Sequence, residues 1–230
     1  MTSEVNSLAV VAHELKAPLS LMRQLALALD FDTQDHRADA RICAQMVNVS
    51  ERALLQVNDL IKVARLEDGL FAMEPVGVRG VCEMVARDVE PLFGFDRKLL
   101  KIKYKNHQKV AVANTRLLYS VIYNFCTNAM RYSAEDSTSL LTVSDDKNKI
   151  RIAVRDYGPA LPTAIWKSLK HGKLTQPTAI TMRPGSSGLG LYIATQFADY
   201  MHADFGAVRH RDGTSFFIDL PISKQACLFN

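Results

Sequence analysis

The spacing of apolar residues changes once along the chain, and this change constrains the fold more than any other feature. In the first 70 residues, apolar side chains recur at intervals of three and four, as on the buried side of a helix in a bundle. The first series consists of Leu8, Val11, Leu15, Pro18, Met22, Leu25 and Leu29. The second consists of Ile42, Met46, Val49, Ala53, Val57, Leu60 and Ala64. After Met73 the pattern shifts to short alternating segments separated by single helices.

The two apolar series predict a helical hairpin over residues 1–70. A polar, acidic stretch from Asp30 to His36 separates the two helices, and Gly69 is placed to end the second one. One hairpin has few residues with which to bury both of its apolar faces, whereas two hairpins paired in a four-helix bundle bury them all. We therefore expect a homodimer, the alternative being a hairpin packed on the rest of its own chain.

Residues 71–225 predict a second domain, an α/β sandwich with a largely antiparallel sheet and helices on one face, so that the whole chain is of the α+β class. The expected helices are Val78–Phe93, Arg116–Tyr132 and Leu189–Met201. The expected strands are Leu99–Tyr104, Lys109–Ala113, Leu140–Ser144, Ile150–Arg155, Phe205–His210 and Ser215–Leu220.

Composition excludes several classes of protein. The 48% hydrophobic content supplies packed cores, and the four cysteines are too scattered for a CxxC metal site or a disulfide scaffold. The sequence has no apolar run of the ~20 residues that span a bilayer and no secretory leader pattern. Residues 1–70 carry 7 basic and 10 acidic residues, and residues 71–230 carry 21 and 14. The basic half fits nucleotide as well as nucleic acid, but no basic motif interleaved with aromatic residues favours nucleic acid.

Four short segments carry chemistry. In HELKAPLS (His13–Ser20), the histidine lies outside the apolar series, so its imidazole should face solvent, where a neutral ring is a competent nucleophile. In NFCTNAMRYS (Asn124–Ser133), two asparagines four residues apart share a helix face and either satisfy each other and the backbone or line a polar site.

The other two segments are an Asp-Gly turn and a glycine-rich loop. Asp156 of DYG follows a strand, where it either closes a turn or binds a ligand. GSSGLGL (Gly185–Leu191) opens a helix, whose N-terminus and glycine backbone suit phosphate groups.

In this order and spacing the four segments resemble the catalytic half of a sensor histidine kinase, over roughly residues 5–222. That family moves the γ-phosphoryl group of ATP onto its own histidine and then onto an aspartate of a partner protein. The resemblance implies a dimerisation and phosphotransfer hairpin followed by a Bergerat-type ATP-binding domain. It also implies a response regulator receiver domain as partner and a cytoplasmic location, or the cytoplasmic portion of a membrane-bound sensor.

The resemblance assigns roles to individual residues. His13 is the phosphorylated nucleophile and Glu14 its assisting base, Asn128 binds Mg²⁺, and Asp156 accepts a hydrogen bond from the adenine amino group. Gly158 permits close approach of the base, and a linker around Phe71–Val76 lets the ATP site swing towards the histidine. The full implied set for ATP and Mg²⁺ is Asn124, Asn128, Arg131, Tyr132, Asp156, Gly158, Gly185, Ser187, Gly188, Leu189 and Gly190.

Three departures from the family pattern leave alternatives open. Ala17 stands where members with phosphatase activity carry Thr or Asn, so this activity is in doubt. Ala160 replaces a second glycine, and Trp166 alone stands in for the usual phenylalanines of the lid over ATP. A degenerate kinase that acts as a dimeric scaffold is therefore the first alternative. An ATPase of the gyrase and MutL kind is the second, although those proteins carry Glu where Asn124 stands.

Overall fold

The computed structural model describes residues 16–29, 36–105, 109–146, 148–161, 163–170 and 188–224. The chain divides into two compact units, one made of residues 1–64 with 176–189 and the other of residues 65–175 with 190–230. His13, Glu14, Gly185 and Ser187 lie outside the described residues. No helix in the described ranges has both the length and the apolar character to cross a membrane.

The first unit contains two helices, α1 (helical over residues 16–27) and α2 (His36–Ala64). On α1 the apolar series is half-buried at Pro18, Met22, Leu25 and Leu29, while most residues between them are exposed. On α2, Val49 of the predicted series is buried, and only Ala64 at the helix end is exposed. The three- and four-residue spacing therefore located the more buried side of each helix correctly.

The second unit has the predicted order of elements. After the 3₁₀ turn Leu66–Asp68 it contains β1 (Glu74–Val76), α3 (Val78–Phe95), β2 (Leu99–Lys105), β3 (Ala111–Ala113), α4 (Thr115–Tyr132), β4 (Thr138–Asp145), β5 (Lys149–Arg155), α5 (Thr163–Lys170), α6 (Leu189–Tyr200), β6 (Asp204–His210) and β7 (Gly213–Pro221). A five-stranded sheet has the order β2-β4-β5-β7-β6, and β1 pairs with β3 in a separate ribbon. Only the β2–β4 pair of the larger sheet is parallel. The predicted α+β fold is confirmed.

Alternation along the strands directs one face of this sheet into the core. Leu141, Ile152 and Ile218 lie on neighbouring strands and are fully buried. The residues that precede and follow each of them along its own strand are more exposed. Asn114 caps the N-terminus of α4, because its side chain accepts hydrogen bonds from the backbone N–H groups of Arg116 and Leu117. Its buried face packs against α3 and the sheet, which leaves its polar face for the site described below.

Three details differ from expectation. Strand β1 and helix α5 were not predicted, because three residues and an eight-residue stretch are too short to show a period. Gly69 ends the 3₁₀ turn rather than α2, with φ +68°. The linker assignment to Phe71–Val76 was wrong in its second half, because Glu74–Val76 forms β1 and pairs with Ala111–Ala113.

Candidate nucleotide-binding site

Close approaches between backbone and side chains bring the predicted residues of the second unit together. A Cβ added to Gly190 would lie 2.8 Å from Asn124 Oδ1, and one added to Gly158 would lie 1.8 Å from the Tyr132 carbonyl oxygen. A Cβ added to Gly213 would lie 2.1 Å from the carbonyl oxygen of Asp156. The start of α6, the turn after β5 and the β6–β7 turn are thus fixed next to predicted site residues.

Asn124 donates a hydrogen bond to its own helix. Its Nδ2 donates to the Ser120 carbonyl oxygen at 3.0 Å, and its Oδ1 lies against Gly190. Any larger side chain at position 190 would collide with this amide. The contact therefore explains the last glycine of the GLGL segment by packing between α4 and α6.

Asn128 is not satisfied in this way. Its Nδ2 is buried and has no hydrogen-bond partner among the described residues. A buried amide without a partner costs about 1–3 kcal/mol, a cost that a bound ligand would remove. Because the two ends of an amide are assigned from the hydrogen-bond network, a flipped side chain places Oδ1 at the same position. An oxygen there fits Mg²⁺, which takes few protein ligands and completes its shell with water and phosphate oxygens.

Asp156 is the most rigidly held polar residue of the site. It is 1% exposed, and its Oδ1 accepts backbone N–H bonds from Thr214 at 2.9 Å and from Gly158 at 3.3 Å. The Asp156 backbone N–H in turn donates to the Thr214 carbonyl oxygen at 2.9 Å. The carboxylate is therefore fixed between the end of β5 and the start of β7. A group held this way can serve as a preorganised acceptor for an N–H of a ligand.

The fold gives a structural reason for glycine at position 158, and its role in the approach of the base stays a prediction. The space beside its Cα is filled by the carbonyl group of Tyr132 at the end of α4. The backbone N–H of Ala134 donates to the Tyr157 carbonyl oxygen at 3.4 Å, and that of Tyr157 donates to Ser133 Oγ at 3.3 Å. The glycine thus allows the DYG turn to lie against the end of the asparagine helix.

The remaining predicted residues have simpler surroundings. Gly188 is buried with φ +74°, a conformation that favours glycine, and Leu189 begins α6 and is buried. Arg131 is exposed in the last turn of α4, and Tyr132 is half-buried.

Thr214 was not identified from the sequence, whereas Trp166 was noted only as a stand-in for the phenylalanines of the lid. Thr214 is fully buried, and its hydroxyl accepts a hydrogen bond from the Leu161 backbone N–H at 3.2 Å in addition to the two backbone bonds with Asp156. Trp166 donates from its ring nitrogen to the Ala207 carbonyl oxygen at 3.1 Å, which anchors α5 to β6. The sequence signal for Thr214 was its position directly after the Asp212-Gly213 turn. The pairing of β5 with β7 is needed to bring this threonine to Asp156.

Burial shifts the pKa values of Cys82, Cys126 and His210, which lie outside the site. Burial, with nearby Glu83, raises the pKa of Cys82 to about 12, and burial also raises that of Cys126, so both are neutral thiols. Burial and then Arg155 lower the pKa of His210, whose ring lies 2.9 Å from Ser215 Oγ. Among the described residues, no cluster of three or more His, Cys, Asp or Glu side chains could hold a metal ion.

Comparison with known proteins defines the class. Residues 113–224 match the family described as histidine kinase-, DNA gyrase B-, and HSP90-like ATPases. This stretch contains α4, the DYG turn, α6 and the β6–β7 hairpin, which are the elements that form the site. Over these residues the chain is therefore similar to the ATPases of this family.

Relatives over most of the chain are more specific. The chain is 27% identical over 195 residues to the sensor histidine kinase MtrB of Mycolicibacterium paratuberculosis, covering 82% of this chain and 34% of that protein. In fold it is similar to ShkA solved with AMPPNP (TM-score 0.63, 22% identity, 96% of this chain and 46% of that one). It is also similar to the histidine kinase ThkA solved with the response regulator protein TrrA (TM-score 0.63, 16% identity, 95% and 62%). The resemblance to sensor histidine kinase catalytic cores is confirmed, and the chain spans about a third of MtrB.

Proposed function

We propose that this chain is the kinase core of a sensor histidine kinase, which phosphorylates His13 from ATP and passes the phosphoryl group to an aspartate of a receiver domain. Residues 1–70 would form the dimerisation and phosphotransfer hairpin, and residues 71–225 the ATP-binding domain. The observation that carries the proposal is the buried Asp156 carboxylate, held by two backbone N–H groups within a domain of this ATPase family.

The chemistry asks for positioning and charge neutralisation rather than covalent catalysis by the ATP domain. Asp156 would select adenine, and Asn128 would hold Mg²⁺, which neutralises phosphate charge when bound. An imidazole nitrogen of His13 would form a bond to the γ-phosphorus while the bond from that phosphorus to the bridging oxygen breaks and ADP leaves. Glu14 would accept the proton from the other ring nitrogen. Gly185, Ser187 and the glycines of GLGL would surround the phosphates.

An exposed heptad series on α2 supports the predicted homodimer. Val47, Leu54 and Ile61 are seven residues apart and are 55%, 62% and 52% exposed. Three large apolar side chains in one row along a helix are typical of a seam that a second helix covers. This series is distinct from the more buried one noted from the sequence. We infer that a second copy of the chain covers it, which gives the four-helix bundle.

The partner and the range of activities follow from the same proposal. ThkA was solved with a response regulator protein, which supports a receiver domain as the acceptor of the phosphoryl group here. Ala17 is exposed on α1 and has no polar atom with which to orient a water, so phosphatase activity is expected to be weak. We propose a cytoplasmic site of action, either for the chain itself or as the cytoplasmic part of a larger sensor.

The direct test is incubation of the purified chain with γ-labelled ATP and Mg²⁺. Acid-labile, alkali-stable label is expected on the wild type and on a His36→Ala control, and none on His13→Ala. Asn128→Ala should also lose most of the label, since it removes the proposed metal ligand. Binding of ATP without any label on the wild type would favour the dimeric scaffold instead. Absence of nucleotide binding would refute the assignment of Asn128 and Asp156.

A further inference from the structure

The segment that connects the hairpin to the ATP-binding domain changes character between Leu70 and Phe71. Residues 67–70 are exposed, and Gly69 has φ +68° with no atom within 4 Å of an added Cβ. Within residues 65–70, the side chains of Arg65 and Asp68 form an exposed ion pair at 3.1 Å. Exposed backbone with so little packing has a low local stability.

From Phe71 onward the chain is held to the ATP-binding domain at successive residues. The Phe71 ring meets the Tyr200 ring edge-on with centroids 6.1 Å apart, and Tyr200 donates its hydroxyl hydrogen to the Phe71 carbonyl oxygen at 3.2 Å. Asn114 Nδ2 donates to the Ala72 carbonyl oxygen at 2.9 Å. Thr115 donates to Glu74 at 2.8 Å, and β1 begins there.

Helix α6 reaches from this contact to the nucleotide site. Tyr200 is its last residue, and Gly190, which lies against Asn124, is its second. A helix of 12 residues is about 18 Å long and bends little over that length. The element that forms one side of the nucleotide site therefore also holds the first fixed residue of the connection.

We propose that Tyr200 is a positioning residue for phosphotransfer, because it holds Phe71 to the ATP-binding domain and confines the pivot between hairpin and domain to Arg65–Leu70. This inference rests on the proposed kinase function. Tyr200 touches neither nucleotide nor histidine. It acts by limiting the arc through which the bound ATP travels to reach the hairpin, since a longer free connection spreads the reacting groups over more arrangements.

The test compares Tyr200→Phe, which keeps the ring and removes the hydroxyl, with Tyr119→Phe. Tyr119 serves as the control because its hydroxyl donates to Asp88 of α3 at 2.7 Å within the same domain. In the full chain, Tyr200→Phe is expected to slow autophosphorylation about three- to tenfold, with the affinity for a fluorescent ATP analogue unchanged within twofold. Amide hydrogen exchange over residues 71–76, a stretch that includes the N–H groups of β1, should accelerate as well. Tyr119→Phe should match the wild type in all three measurements.

Two results would overturn the proposal. One is a wild-type rate together with wild-type exchange over residues 71–76 in Tyr200→Phe, and the other is a loss of nucleotide affinity that accounts for the whole loss of rate. Gly69→Ala gives a second test at the pivot, because it strains the φ of +68° without a steric clash. It should alter the autophosphorylation rate and leave affinity unchanged. If the wild type binds nucleotide but carries no label, the kinase function fails, and hydrogen exchange still decides whether Tyr200 holds the connection.

Discussion

Replacing the Asp156 carboxylate by an amide separates its structural role from its proposed recognition of adenine. In Asp156→Asn, the remaining carbonyl oxygen can accept the two N–H bonds from Thr214 and Gly158, so the free energy of unfolding should fall by no more than about 1 kcal/mol. Asp156→Ala leaves both buried N–H groups without an acceptor and should cost about 2–4 kcal/mol. For a chain of this size, the cost of about 2–4 kcal/mol in Asp156→Ala corresponds to a Tm that is lower by roughly 5–15 °C.

The nucleotide affinities should show a different order. The amide of Asp156→Asn presents an NH₂ group where the carboxylate presented an acceptor, so it opposes the amino group of adenine. A lost bond to a charged acceptor together with an unpaired donor costs about 3 kcal/mol, which is about a hundredfold in the dissociation constant for ATP.

Calorimetric titration with ATP beside thermal unfolding measures both effects. Asp219→Asn is a suitable control, since Asp219 is a nearly buried carboxylate that pairs with Arg151 on the other part of the sheet. Wild-type affinity in Asp156→Asn would refute the role in adenine recognition. An unfolding temperature as low as that of Asp156→Ala would refute the assignment of Oδ1 as the structural acceptor.

Three further changes test other parts of the structure. Gly158→Ala forces the DYG turn away from the Tyr132 carbonyl and should destabilise the domain by about 1–3 kcal/mol or more in urea unfolding, with ATP affinity reduced as well. Burial, followed by the charges of Cys82 and Glu83, raises the pKa of Tyr104 to about 12. The contribution of the neutral Tyr104 hydroxyl to stability is therefore full below pH 10 and is lost as the pH rises to about 12. Tyr104→Phe should therefore flatten alkaline unfolding in that window. Lysines 101, 103 and 105 are exposed on the edge strand β2 and have no ion pair within the described residues. Their joint replacement by threonine should promote self-association in sedimentation measurements.

The elements of the fold were predictable because each leaves a local signature. Heptad spacing located the half-buried sides of α1 and α2, and alternation located β5 and β7 to within one or two residues. The three residues of β1 and the two helical turns of α5 carry too few side chains to show the period of their element. Their positions depend on partners distant in the chain, such as Ala111–Ala113 for β1 and β6 for α5.

The sequence could place the candidate residues of the site on their elements, but it could not give their surroundings. Spacing on α4 placed Asn124 and Asn128 on one face, yet only the structure separates the amide that bonds to its own helix from the buried one without a partner. Thr214 was missed because it is brought to Asp156 by the pairing of β5 with β7, a contact 58 residues apart in sequence.

The glycines show most clearly why spacing alone assigns function too readily. Glycine in a nucleotide-binding motif is usually explained by access of the ligand, but Gly158 and Gly190 are each in contact with α4. Their immediate role is to let two loops approach one helix, and a Cβ at either position would move Tyr132 or Asn124 before it met any ligand. A substitution there would thus lower nucleotide affinity through the position of α4. The loss should be accompanied by a loss of stability, whereas a change at Asn128, whose buried Nδ2 contacts no described acceptor, should lower affinity and raise stability or leave it unchanged.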